Sequence, residues 1–140
     1  MDQITSNLFI GDFLDSSGIE KLKEKEISVV FNVASEVTDK LPEEIEYIWN
    51  PLIDDGTDTT ERLEQAIKTL EVLLSDNKKV LVHCMGGISR SATLIATFIA
   101  YDKNISFEAA IRAVQRYHPQ ANPSIEMRSL AIQVLRKLRE

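Results

Sequence analysis

The run "ISVVFNVA", from Ile27 to Ala34, constrains the fold more than any other stretch of this chain. It is β-branched and nearly continuously apolar. A strand of this kind has to be covered on both faces, as in a parallel sheet with helices on either side. Its surroundings agree. "LFIG" upstream reads as a short strand, and "SSGIEKLKEKE" has a serine cap followed by helical spacing at Ile19 and Leu22. "EYIWNPL" is a further strand, stopped by Pro51, and "ERLEQAIKTLEVLLSD" is an amphipathic helix with Leu63, Ile67, Leu70 and Leu74 on one face. The strand "KVLVH" then leads through a glycine loop into the helix "RSATLIATFIAYDK". Two more helices follow, "SFEAAIRAVQRYH" and "PSIEMRSLAIQVLRKLRE". Strands separated by helices predict an α/β fold with a small, mostly parallel central sheet of roughly four to five strands flanked by helices. The expected organisation is one domain over residues 1–140, with no repeat, linker or low-complexity tract.

The glycine loop carries the chemistry. "HCMGGISRSA", from His83 to Ala92, holds the only cysteine in the chain. In open α/β sheets, ligands bind beyond the carboxyl ends of the strands, where loops run into helix N-termini. Cys84 falls at such a strand end. Gly86 and Gly87 allow the backbone to turn so that successive N–H groups converge on an anion. The helix starting near Arg90 adds its positive end, and the Arg90 guanidinium adds a planar fork for two oxygens of a phosphate. Together these favour the thiolate over the thiol, which would make Cys84 a nucleophile aimed at phosphorus. The residues Met85, Gly86, Gly87, Ile88, Ser89 and Arg90 form the expected phosphate cradle. A lone cysteine near a strand end is ordinarily a small buried hydrophobe. The flanking histidine, glycines and arginine favour the nucleophile.

Other chemistries fit poorly. The nucleotide-binding pattern GxxxxGK[ST] is absent. One cysteine and two histidines leave too few soft ligands for a metal site, so no metal and no cofactor are expected. A formal charge of -6 disfavours nucleic acid and anionic membrane surfaces at long range, so neither is expected as a partner. The N-terminal "MDQITSNLFIGD" lacks a basic and then apolar signal, and a single cysteine cannot form an internal disulfide. A cytoplasmic setting is the expectation.

With these residues in view, "HCMGGISRSA" resembles the HCxxGxxRS signature of the cysteine-dependent protein phosphatases. It is most similar to the dual-specificity branch, whose loops commonly end in "SRSA". The likeness extends through "ITSNLFIGDFLDSSGIEKLKEKEISVVFNVASE" and "HPQANPSIEMRSL". The resemblance implies a protein tyrosine phosphatase-like fold. It also implies metal-free hydrolysis of phosphate monoesters in phosphorylated proteins, through a cysteinyl-phosphate. It implies an aspartate general acid on a loop preceding the cysteine. "NPLIDDGTDTT" offers Asp54, Asp55 and Asp58, and the family's spacing from proline selects Asp54, thirty residues before Cys84, with Asp55 as the alternative. Asp58 with Glu61 reads instead as a capping box, and Asp55 before Gly56 as a turn residue.

Further roles follow from position and, for His83 and Asn122, from the same likeness. Ser91 is placed to donate to the cysteine sulfur or to cap the helix start. His83 is expected to support the loop rather than act as acid or base. His118 reads as a solvated residue at a helix end, and Asn122 as structural. The alternatives to a protein phosphatase are a phosphoinositide or RNA 5′-phosphate phosphatase, and a non-catalytic phospho-ligand binder. No lysine lies in "MGGIS", which disfavours the lipid-directed reading, and retention of Cys84 and Arg90 disfavours the binder. The short segment "ASEVTDKLPEEIEY" predicts a shallow site, and a monomer is expected.

Overall fold

The computed structural model describes residues 1–55 and 57–140. Five strands form one sheet: β1 (Asp2–Gln3), β2 (Leu8–Gly11), β3 (Val29–Asn32), β4 (Glu46–Trp49) and β5 (Val80–His83). Their order is β1-β2-β5-β3-β4, with β1 antiparallel to β2 and every other pairing parallel. The helices are α1 (Phe13–Ser17), α2 (Ile19–Glu24), α3 (Thr60–Ser75), α4 (Arg90–Lys103), α5 (Phe107–Tyr117) and α6 (Ile125–Leu138). The α/β fold and mostly parallel sheet expected from the sequence are present.

The two sheet faces are covered unequally. Leu8, Ile10, Val29, Phe31, Val80 and Val82 join the large core under α3, α4, α5 and α6. Phe9, Val30 and Leu81 face the smaller cluster with Leu22, Ile27 and Ile45. Strand residues alternate between faces, so only strands buried on both sides need an unbroken apolar run, as β3 and β5 have. Burying one such Leu, Ile or Val contributes about 1.5–3 kcal/mol. Helix α4 is the hub, buried on nearly all sides from Arg90 to Phe98, which explains why its sequence is apolar without a clean stripe.

Two capping expectations fail. Ser16 and Ser17 lie inside α1, whose cap is Asp12 in a reciprocal box with Asp15 (2.9 Å each way), while α2 starts at Gly18 with no side-chain cap. Asp58 does not cap α3. Thr59 holds that position without a capping bond, and Asp58 Oδ2 instead accepts from the Ile53 N–H at 2.6 Å. The pattern of acid and glutamate was compatible with a box, but the loop folds back and uses the carboxylate on its own backbone.

Parallel pairing brings the carboxyl ends of β2, β5, β3 and β4 to one edge of the sheet, ending at Gly11, His83, Asn32 and Trp49. The loops leaving that edge build the site.

Candidate active site

The loop from Cys84 to Ser89 joins β5 to α4. Its turn needs only one of the two glycines. Gly87 has φ of 68°, and a Cβ there would lie 2.9 Å from the Gly11 carbonyl oxygen at the end of β2. A side chain at Gly87 would meet both strain and a clash with backbone. Gly86 has no left-handed φ, and a Cβ there would touch only Ile88 at 3.6 Å. Among the bonds that hold the loop from outside are the Phe13 N–H to the Met85 carbonyl (3.2 Å), the Asn122 N–H to the Ile88 carbonyl (2.8 Å), and His118 Nε2 to the Gly87 carbonyl (2.6 Å).

His118 therefore departs from the solvated role expected of it. It is only 3% exposed and bridges Gly87 to Asp2, whose Oδ2 lies 2.6 Å from Nδ1. The C-terminus of α5 is folded over the loop, and a helix-end position in sequence gave no sign of that. His83 behaves as expected of a support. It is fully buried, with Nδ1 3.2 Å from the Cys84 carbonyl and Nε2 2.7 Å from Asp39 Oδ2. Burial alone would raise the Asp39 carboxyl, but bonds from His83 and Ser16 and the nearby Tyr47 hydroxyl outweigh it and hold it below its ordinary value.

Cys84 is 2% exposed and its sulfur stands beside Ser91 in the lining of a cavity of about 310 Å³. Ser91 Oγ lies 3.3 Å from it, in bonding distance, so Ser91 is on the sulfur rather than at the cap. The cap position of α4 is Ser89, and its side chain makes no capping bond. The first N–H groups of α4 are therefore left free of a side-chain partner at the cavity. Larger hollows of about 550, 590 and 600 Å³ lie elsewhere, but none reaches Cys84.

Arg90 is 8% exposed and lines the same cavity. Its Nη1 and Nη2 both donate to the Glu36 carboxylate, the latter at 2.8 Å, and Nη1 also reaches the Leu52 carbonyl at 3.3 Å. A guanidinium has five N–H donors, so this pairing still leaves the Nε–H and one Nη2 hydrogen for two oxygens of an anion. Glu36 was not identified from sequence. It lies in an aperiodic loop 54 residues away, and nothing local marks it.

The Arg90 guanidinium beside Glu36 draws its carboxyl down from the ordinary 4.5 to about 2. A depressed carboxyl contributes stability that is complete above about 4.5 and lost as pH falls through about 2. Glu36→Gln is therefore expected to unfold less steeply with acid across that window. Glu36 is 49% exposed, so solvent screening keeps the difference under about 1 kcal/mol. Superimposable acid-unfolding curves for the two proteins would show that the pair does not form in solution.

The three aspartates of the "NPLIDDGTDTT" loop separate clearly. Asp54 lines the Cys84 cavity, where its Oδ1 accepts from Ser89 Oγ (2.8 Å) and Ser124 Oγ (2.7 Å). Asp55 is exposed and accepts from Thr57, N–H at 2.9 Å and hydroxyl at 2.6 Å, which holds its carboxyl below the usual range. Burial raises the Asp58 carboxyl, whose Oδ1 is buried without a hydrogen-bond partner among the described residues. Only Asp54 shares a cavity with the sulfur.

A cysteine, a glycine turn and a helix N-terminus that share one cavity at the carboxyl edge of a parallel sheet are the arrangement expected of a cysteine-based phosphatase. The sequence profile of the family "Dual specificity phosphatase, catalytic domain" matches residues 8–135, and the chain belongs to that family. Dual specificity protein phosphatase 22 of Mus musculus is 29% identical over 126 residues, covering 89% of this chain and 68% of that protein. Dual specificity protein phosphatase Mpk3 of Drosophila melanogaster is 31% identical over 120 residues, 84% of this chain but only 29% of its own length. The crystal structure of human DUSP28 superposes with a TM-score of 0.90 at 21% identity, covering 99% of this chain and 98% of that one. Human tyrosine phosphatase-like serine/threonine/tyrosine-interacting protein gives 0.89 at 19%, covering 100% and 98%. At these identities the structures establish the protein tyrosine phosphatase-like fold, and the family match establishes a protein phosphatase domain, a hydrolase. No helix among the described residues is long and apolar enough to cross a membrane.

Proposed function

We propose that this chain is a single catalytic domain that hydrolyses phosphotyrosine, phosphoserine and phosphothreonine in proteins through a phosphate ester of Cys84. The observation that carries the reading is the convergence on one small cavity of Cys84, Arg90, the start of α4 and Asp54. The Cys84 sulfur attacks phosphorus as the bond from phosphorus to the substrate oxygen breaks. The backbone of Met85 to Ser89, the α4 N-terminus and the free edge of Arg90 hold the phosphoryl oxygens. Asp54 gives its proton to the departing oxygen, which leaves as the alcohol or phenol. In the second step Asp54 takes a proton from water, water oxygen bonds phosphorus, and the phosphorus–sulfur bond breaks. Ser91 Oγ–H, 3.3 Å from the sulfur, donates to the departing thiolate.

Apart from the substrate and water, every group these steps use belongs to the protein, and none requires a metal or cofactor. The small cavity and short "ASEVTDKLPEEIEY" segment suit short phosphorylated side chains as well as phosphotyrosine. The acidic surface and the lysine-free loop favour phosphoproteins over phosphoinositides and RNA ends. A monomer in a reducing, cytoplasmic setting suits a chain whose one thiol has to stay unoxidised.

Asp54→Asn tests the acid. A general acid matters most when the leaving oxygen is basic, so activity on a phosphoserine peptide is expected to fall about 10²–10⁴-fold. The loss on a nitrophenyl phosphate is expected to be far smaller, and Asp55→Asn should change both substrates slightly and equally. A leaving-group-dependent loss in Asp55→Asn, and none in Asp54→Asn, would reassign the acid.

A further inference from the structure

Asp54 stands on an exposed loop, yet one of its oxygens is fixed twice. Oδ1 accepts from Ser89 Oγ at 2.8 Å and from Ser124 Oγ at 2.7 Å. An ionised carboxylate only accepts, so both hydroxyls donate to it, and the backbone leaves them free to do so. Ser89 Oγ already accepts the Ser124 N–H at 3.0 Å, and Ser124 Oγ already accepts the Met127 N–H at 3.2 Å. Each hydroxyl has one hydrogen, and in both cases it goes to Asp54. Two donors occupy the lone pairs of Oδ1, which leaves Oδ2 as the oxygen able to carry a proton. The segment that presents Ser124 is itself tied to the loop by the Asn122 N–H on the Ile88 carbonyl at 2.8 Å. The acid loop, the Cys84 loop and the start of α6 are thereby joined through one carboxylate oxygen.

We propose that Ser124, together with Ser89, positions Asp54 for proton transfer by binding Oδ1 and leaving Oδ2 to face the departing oxygen. The proposal rests on the reading of Asp54 as the acid. Both serines act through Asp54 and are positioning residues. Ser124 is also the N-cap of α6, so a test has to separate the tether from the cap. Glycine is nearly as good an N-cap as serine but has no hydroxyl, and threonine retains one.

Ser124→Gly, Ser124→Thr, Asp54→Asn and the double variant Ser124→Gly/Asp54→Asn should be assayed on a phosphoserine peptide and on a nitrophenyl phosphate. Ser124→Gly is expected to lose roughly tenfold in kcat on the peptide, with KM little changed and a much smaller loss on the activated ester. Ser124→Thr should restore the peptide rate. In the Asp54→Asn background, Ser124→Gly should cost nothing further, because the two residues act as one unit. Equal losses on both substrates, no rescue by threonine, or an additive loss in the double variant would overturn the proposal. Leaving-group dependence in Asp54→Asn without any in Ser124→Gly would remove the tether and leave the acid standing. Its absence from Asp54→Asn would remove both.

Discussion

Cys84→Ser is expected to abolish turnover of every phosphate monoester, by roughly 10⁵–10⁶-fold, while the protein folds and still binds an oxyanion such as tungstate. The reason lies in what surrounds the sulfur. A serine hydroxyl needs a base to become a nucleophile, and the neighbouring imidazole is turned away from the sulfur. His83 is taken up by Asp39 Oδ2 at 2.7 Å and by the Cys84 carbonyl at 3.2 Å. Ser91 Oγ, 3.3 Å from the sulfur, is no base. The cradle itself, made of backbone, the α4 N-terminus and Arg90, would be unchanged. Turnover within tenfold of the parent would mean the phosphoryl group never passes through Cys84. Loss of tungstate binding along with activity would mean that the sulfur shapes the cradle as well.

Arg90→Lys is expected to lower kcat/KM on the order of 10³-fold, although the charge is conserved. Arg90 does two jobs with one planar group. Its Nη1 and Nη2 hold Glu36 and the Leu52 carbonyl, and its remaining edge is left for phosphate. An ammonium is a point charge with three donors and cannot face Glu36 and a phosphate in one plane. A lysine drawn to Glu36 would leave the anion site without its cation. Glu36→Gln should therefore recover part of the activity when combined with Arg90→Lys, as steady-state kinetics of the pair would show. A lysine variant with parental kcat/KM would reduce Arg90 to the structural partner of Glu36.

The legible parts of this protein are those whose physics is local. The apolar run at Ile27–Ala34 predicted a strand buried on both faces, and β3 is one. The amphipathic stretch after Asp58 predicted α3 and its buried face, and Leu74, on the same face as Leu63, is only partly buried because it borders an open hollow of about 550 Å³. The loop from Cys84 to Arg90 was legible because strand end, turn, helix start and arginine lie within one short stretch, so their convergence needs no knowledge of the rest of the chain. Asp54 was selected over Asp55 by likeness to a family, and the cavity holds Asp54 alone of the two.

What the sequence by itself determined was the order and kind of elements and the chemistry of one loop, since backbone hydrogen bonding and side-chain periodicity act over a few residues. Only the tertiary structure decided which distant polar groups meet there. Glu36 joins Arg90 across 54 positions, Asp39 joins His83 across 44, Ser124 reaches Asp54 across 70, and Asp2 meets His118 across 116. These residues sit in aperiodic loops or at element ends, where a buried polar partner leaves no pattern in the neighbouring residues. They meet because parallel strands bring their carboxyl ends to one edge of the sheet. The loops of that edge then satisfy buried charges and hydroxyls with one another, because leaving such groups unpaired away from water is costly.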